Sequence, residues 1–160
     1  MSEAIPFHVL KRIEDLLYDG ARFIDDERFE EWAELFVERC VYKITTRENF
    51  DASLPIGVMY CDSRAMLRDR VLSLRKANLY NAHYDRHLVS NVRVLDVVDA
   101  VYRVHSSYLV LQTTPAGESR VFSCGKYLDR VVFEGETARF QERIVVMDTG
   151  AIFNLLATPI

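Results

Sequence analysis

Cysteine, glycine and proline are all scarce in this chain: three, six and four among 160 residues. Cys40, Cys61 and Cys124 are odd in number and far apart, with no CxxC pair and no Cys/His zinc spacing. That excludes a disulfide scaffold and a structural zinc knot, and leaves reduced thiols. So few glycines and prolines, none of them clustered, leave no linker or low-complexity tract, and residues 1–160 read as one domain. Such a chain buries roughly 70% of its unfolded surface and needs no staple. No apolar run approaches the roughly 20 residues of a membrane span. The opening "MSEAIPFHVLKRIEDLLYDG" carries acids within its apolar face, so it does not read as a signal peptide, and a cytoplasmic location is expected. Neither sign of charge dominates: the formal net charge is −4 and the basic residues are scattered, which gives no electrostatic reason to expect nucleic acid. A glycine-rich nucleotide loop, a GxSxG elbow and an HExxH pair are also missing.

What is present begins with helical spacing. Phe7, Leu10, Ile13, Leu17, Ala21 and Ile24 recur at steps of three and four, with Pro6 in the first turn. "DDERFEEWAELF" resumes that period through Phe29, Trp32, Leu35 and Phe36, with Asp25 or Asp26 as N-cap. "CVYKITTR" alternates like a strand, and residues 48–61, with Pro55 and Gly57, read as a loop or flap. "DSRAMLRDRVLSLRKAN" is a second long helix, capped by Asp62 or Ser63, with Met66, Leu67, Arg70, Val71 and Leu74 on its buried side. After residue 86 the chain turns β-rich, punctuated at Asp99, Pro115–Gly117 and Glu134–Gly135. Helices first and an antiparallel meander afterwards predict an α+β fold: a strongly curved mixed or antiparallel sheet with helices packed on one face. A sheet curved that far forms a cone, and a cone can hold a pocket.

Chemistry-bearing residues concentrate around "HYDRH". On a helix, His83 and His87 would share one face and could share a metal; Asn78, Asn81 and the β-branched run after Leu88 argue against an unbroken helix there. On a strand, His87 is expected to be hydrogen-bonded to backbone or a carboxylate. The rival is an acid–base dyad at the strand mouth, His87 with Asp25 (or Asp26 or Asp62), although those aspartates have a sufficient role as helix caps. Arg64, Arg68 and Arg75 lie near each other on the second long helix. They form either a solvated face or a docking surface whose guanidinium forks reach carboxylates of another chain. The tail "AIFNLLATPI", with Phe153, Leu155, Leu156 and Ile160, must fold back into the cone or lie against another subunit.

Taken together, "EEWAELFVERCVYKITTREN", "YCDSRAMLRDRVLSLRKANLYNAHYDRHLVSNVRVL", "SCGKYLDRVV" and "ARFQERIVVMDTGAIFNLLATPI" cover nearly the whole chain. In these blocks the chain resembles the small (β) subunits of aromatic-ring-hydroxylating dioxygenases, the Rieske non-haem iron oxygenases. The wording is nearest to subunits acting on aromatic acids such as terephthalate and halobenzoate. The resemblance implies a nuclear-transport-factor-2-like cone and a large (α) partner that carries a Rieske [2Fe-2S] cluster and a mononuclear Fe(II). It implies three α and three β chains in a hexamer, with the β chains as a trimer, and electrons from NADH through a reductase and sometimes a ferredoxin. It implies no catalytic residue, cofactor or metal ligand in this chain, and the sequence has no CxH…CxxH cluster pattern. Arg64, Arg68, Arg86, Phe153, Leu155 and Leu156 become the candidates for subunit contacts. Because scytalone dehydratase and ketosteroid isomerase share this cone, a stand-alone dehydratase or isomerase using His87 and Asp25 is the alternative.

Overall fold

The computed structural model describes residues 4–77, 82–148 and 158–160. Its elements run α1 (Phe7–Asp25), α2 (Phe29–Ala33), β1 (Phe36–Thr46), α3 (Arg47–Asp51), β2 (Met59–Cys61), α4 (Arg64–Ala77), β3 (Tyr84–Val98), β4 (Val101–Thr113), β5 (Ser119–Glu134) and β6 (Thr137–Met147). The α+β expectation holds. All six strands join one sheet in the order β2-β1-β6-β5-β4-β3, antiparallel throughout except for the parallel pair β1 and β6.

Curvature comes from the register. The β3–β4 ladder slips between Ser90 and Arg93 and again between Val94 and Asp96, β4–β5 at Val110/Leu111, and β5–β6 at Arg130/Val131. Each slip inserts a residue on one strand only, which bends that strand and raises its local twist. Asn91, in the first slip, has φ 55°, a left-handed conformation that its short amide side chain tolerates. Helix α1 lies across β3, burying Ile13, Leu16, Leu17, Ala21 and Ile24, while Phe7 at its start is left 81% exposed. Trp32, Phe36 and Tyr42 meet edge-on at centroid separations of 5.1–5.9 Å, a favoured aromatic geometry.

Several sequence expectations are corrected. Helix α2 has five residues, with Arg28 and no side-chain bond at its N-cap; neither Asp25 nor Asp26 caps it. Phe36 opens β1, because strand alternation through Tyr42 and Ile44 claims it for the sheet. The flap at 48–61 includes α3 and the short strand β2. Ser63 does cap α4, accepting from the Met66 amide at 3.2 Å, but Met66 and Arg70 face solvent while Leu67 and Val71 are buried.

The arginines of α4 clasp α2. Arg75 Nε and Nη2 each donate to Glu30 at 2.9 Å, and Arg68 Nε donates to Glu34 at 2.6 Å. Arg64 donates to the Phe36 carbonyl at 3.2 Å. The bond from Arg75 holds the Glu30 carboxyl down at about 2. A carboxyl depressed in the folded state adds stability above its ordinary pKa and loses it as pH falls through the depressed value. The protection of α4 amides, taken as exchange relative to the intrinsic rate at each pH, is therefore expected to fall between pH 4.5 and 2, and Arg75→Gln should flatten that dependence. The effect is small, roughly 0.2–1 kcal/mol, because both side chains are largely solvated. An α4 that exchanges equally fast in both proteins across this range would show that the clasp contributes nothing.

Candidate functional site

The end of α1 meets the start of β3 through a single carboxylate. Asp25, the last residue of α1, accepts the backbone N–H of His87 at 2.9 Å and 3.1 Å, and the His87 Nδ1 lies 2.6 Å from Oδ1. The His87 side chain is fully buried and that of Asp25 nearly so. A carboxylate accepts only, so Nδ1 carries the proton in this contact. The His87 Nε2 is buried with no hydrogen-bond partner among the described residues.

A second carboxylate stands beside it. Asp85, two residues earlier on β3, lies 3.5 Å from His83 Nε2, accepts from Gln112 Nε2 at 3.4 Å and accepts from Thr158 Oγ1 at 3.4 Å. Asp25, Asp26, Glu27, His83, Asp85 and Thr158 line one cleft of about 230 Å³. His83 and His87 do not share a metal ion. Four residues apart along extended chain separates them by about 13 Å, and the His87 Nδ1 is already taken. Among the described residues, no three His, Cys, Asp or Glu side chains are grouped to hold a metal.

The sequence offered Asp25 both as a helix cap and as the partner of His87; the structure gives it the histidine and not the cap. A buried imidazole with Nδ1–H held by a carboxylate is oriented as a general base would be. It is equally a structural staple joining two elements 62 residues apart. The ring is fully buried, as a staple between two elements would be.

Two other buried polar groups had no sequence expectation. Arg143 and Asp129 form a bidentate pair at 2.8 Å and 2.8 Å inside the sheet, the guanidinium lying 4.0 Å from the Tyr127 ring centroid and 4.2 Å from that of Phe140. Burial pushes the Asp129 carboxyl up while Arg143 pulls it back. Burial works against the Arg143 charge too, but Asp129 outweighs it and holds the guanidinium above its ordinary value. The signal was there: Tyr127, Asp129 and Val131 share one face of β5 by strand alternation, which puts a carboxylate among core residues. Of the thiols, Cys40 is pushed up to about 11 by burial and is not a nucleophile.

The surface candidates are dispersed. Arg64 and Arg68 are engaged by α2 and its flank, and Arg86 is exposed on β3. Phe153, Leu155 and Leu156 lie outside the described residues. None of Arg64, Arg68 and Arg86 lines the cleft at Asp25.

The family model described as the ring hydroxylating beta subunit matches residues 19–154, which include every strand, His83 and His87. The chain belongs to that family. It is 43% identical over 137 residues to the anthranilate 1,2-dioxygenase small subunit of Burkholderia cepacia, covering 86% of this chain and 85% of that one. To the terephthalate 1,2-dioxygenase terminal oxygenase component subunit beta 2 of a Comamonas species it is 34% identical, covering 88% and 91%. A crystal structure described as the beta subunit of an aromatic-ring-hydroxylating dioxygenase from Novosphingobium aromaticivorans superposes with a TM-score of 0.85. That chain is 43% identical to this one, and 94% and 95% of the two chains are covered. This dioxygenase beta subunit is thus a nuclear-transport-factor-2-like cone, and the resemblance read from its blocks is its family.

Proposed function

We propose that this chain is the assembly subunit of a multicomponent dioxygenase that dihydroxylates an aromatic acid with O2 and NADH-derived electrons. The observation that carries this reading is the 43% identity, sustained over 86% of the chain, to the small subunit of an anthranilate dioxygenase. The buried Asp25–His87 staple supports it, since a cone that catalysed a dehydration or isomerisation would present its imidazole to a substrate.

On this reading residues 1–160 act as one cytoplasmic domain, joined to a large subunit in a hexamer of three large and three small chains. The Rieske cluster and mononuclear iron belong to the large subunit, and a reductase, with or without a ferredoxin, feeds it electrons. The small chains meet as a trimer. Arg86 is the best placed of the contact candidates, being exposed with no ion pair among the described residues. Arg64 and Arg68 would have to add a partner beyond Glu34, and Phe153, Leu155 and Leu156 complete the proposed contact.

Co-expression with the large-subunit frame from the same genomic neighbourhood tests this. Light scattering of the purified complex should give a mass of three large plus three small chains. Turnover of anthranilate or terephthalate should require the large subunit. Turnover by this chain alone, or its failure to co-purify with any such partner, would remove the reading.

A further inference from the structure

The basic residues that are dispersed along the sequence are gathered by the sheet. Val92 and Val94 on β3, Val104 and Ser106 on β4, and Tyr127 and Asp129 on β5 turn into the core. Strand alternation sends their neighbours outward: Arg93 on β3, Arg103 and His105 on β4, Lys126 and Arg130 on β5, and Arg86 beside the buried His87. The register sets these groups against one another. Arg93 stands opposite His105, Ser107 opposite Lys126, and Arg103 opposite Arg130. Two carboxylates answer the charge: Asp96 accepts from Arg103 Nε at 2.6 Å, and Glu142 lies 3.5 Å from Arg130. Arg86, Arg93 and Lys126 have no ion pair among the described residues.

Like charges directly opposite across strands are destabilising, and their field reaches His105. Burial first, then Lys126 and Arg103, hold that imidazole below its ordinary value, against the opposing pull of Asp129. The same face carries an apolar centre: Leu88, 48% exposed, pairs with Leu109, and Leu111 stands opposite Arg86. Helix α3 reaches the outer side only toward β6, where Lys126 lies over the Phe50 ring. Over β3 and β4 no helix covers that side among the described residues. An apolar centre ringed by arginines has the composition of a docking face.

The occupant must bring negative charge. A second copy has some, since residues 7–33 hold eight acids against four bases. Yet α1 and α2 pack on the inner side of the sheet. Contact between opposite sides stacks copies head to tail in an open series, which does not close as a ring of three. We propose that the outer face of β3 to β5 docks the large subunit, through an acidic patch on that subunit that meets Arg86, Arg93 and Lys126 around Leu88 and Leu109. This rests on the assembly reading above and names the surface through which that assembly is made.

The test titrates the purified large subunit onto the immobilised small chain. Arg86→Glu together with Arg93→Glu should weaken binding at least about tenfold. The loss should be smaller at high salt, where screening removes the attraction from the unaltered chain. Both side chains are exposed, so the Tm should not move. Lys76→Glu, the same change of sign on α4, should bind as the unaltered chain does. Undiminished binding by the double variant, a loss matched by Lys76→Glu, or a loss indifferent to salt would each overturn the proposal. So would a double variant whose own self-association falls by light scattering, since that assigns the face to a second copy. If the double variant does not fold, Arg93→Glu alone decides, with an expected loss of about threefold. An unaltered chain that does not bind the large subunit sinks the assembly reading and this proposal with it. Equal binding by the unaltered chain and the double variant sinks the docking face alone.

Discussion

Replacing Arg143 by methionine is expected to destabilise the protein by about 3–5 kcal/mol, because it strands the Asp129 carboxylate in the core. Both side chains are almost wholly excluded from solvent, so neither water nor a counterion can take over the lost bonds. For a chain of this size that corresponds to a fall in Tm of roughly 6–20 °C. The informative comparison is the double variant Arg143→Met with Asp129→Leu. Removing both charges together should recover most of the loss, since a buried pair often contributes little beyond an apolar replacement of the same volume. Urea unfolding of the two variants settles the matter. A double variant no more stable than the single one would mean that the pair is worth its full attraction in this site, with the cation–ring contacts to Tyr127 and Phe140 as the reason.

Gly125→Ala should be nearly as damaging, for a steric reason. Gly125 pairs with Tyr108 on β4 and Met147 on β6, and a Cβ built there would stand 2.0 Å from the Val146 carbonyl oxygen. A flexible side chain could swing away from such a contact, but a backbone carbonyl held in a ladder cannot. Strands β5 and β6 must separate locally, at a cost of about 3 kcal/mol, the upper end for overpacking. By contrast, alanine at Gly117 or Gly135 would meet nothing within 4 Å and would carry only the strain of a positive φ. Equal midpoints for Gly125→Ala and Gly117→Ala in denaturant would refute the steric account.

Those two sites show where sequence reading reaches its limit. The hairpins were legible because their turns are local: Asp99–Ala100 and Gly135 take positive φ in a way their neighbours announce. Helix α4 was legible from Ser63 and its apolar period. The stretch from Phe29 to Phe36 was misread because Trp32, Leu35 and Phe36 satisfy helical spacing, yet Phe36 is claimed by β1 pairing with Phe140. Asp25 was offered both as a cap and as the partner of His87, and only the second holds. An aspartate after an apolar helix serves equally well as a cap, and its partner stands 62 residues away. The tie between Tyr42 and Ile160, 118 residues apart, had no local signal at all. Position along a strand could have flagged Asp129, since its alternation places a charge inside.

The parallel pairing of β1 with β6 sets a timetable for synthesis. Val41 lies opposite Glu142, so this ladder cannot form until almost every strand has left the ribosome. At translation rates of about 5–20 residues per second, β1 waits roughly 5–20 s with that edge unpaired. Meanwhile β3 to β5 can close as successive hairpins, each needing only the strand just made. Early in life the molecule is therefore a three-stranded meander of β3 to β5 beside a waiting β1, and during that interval the N-terminal strand is the part most open to chaperones or to mispairing with another nascent chain.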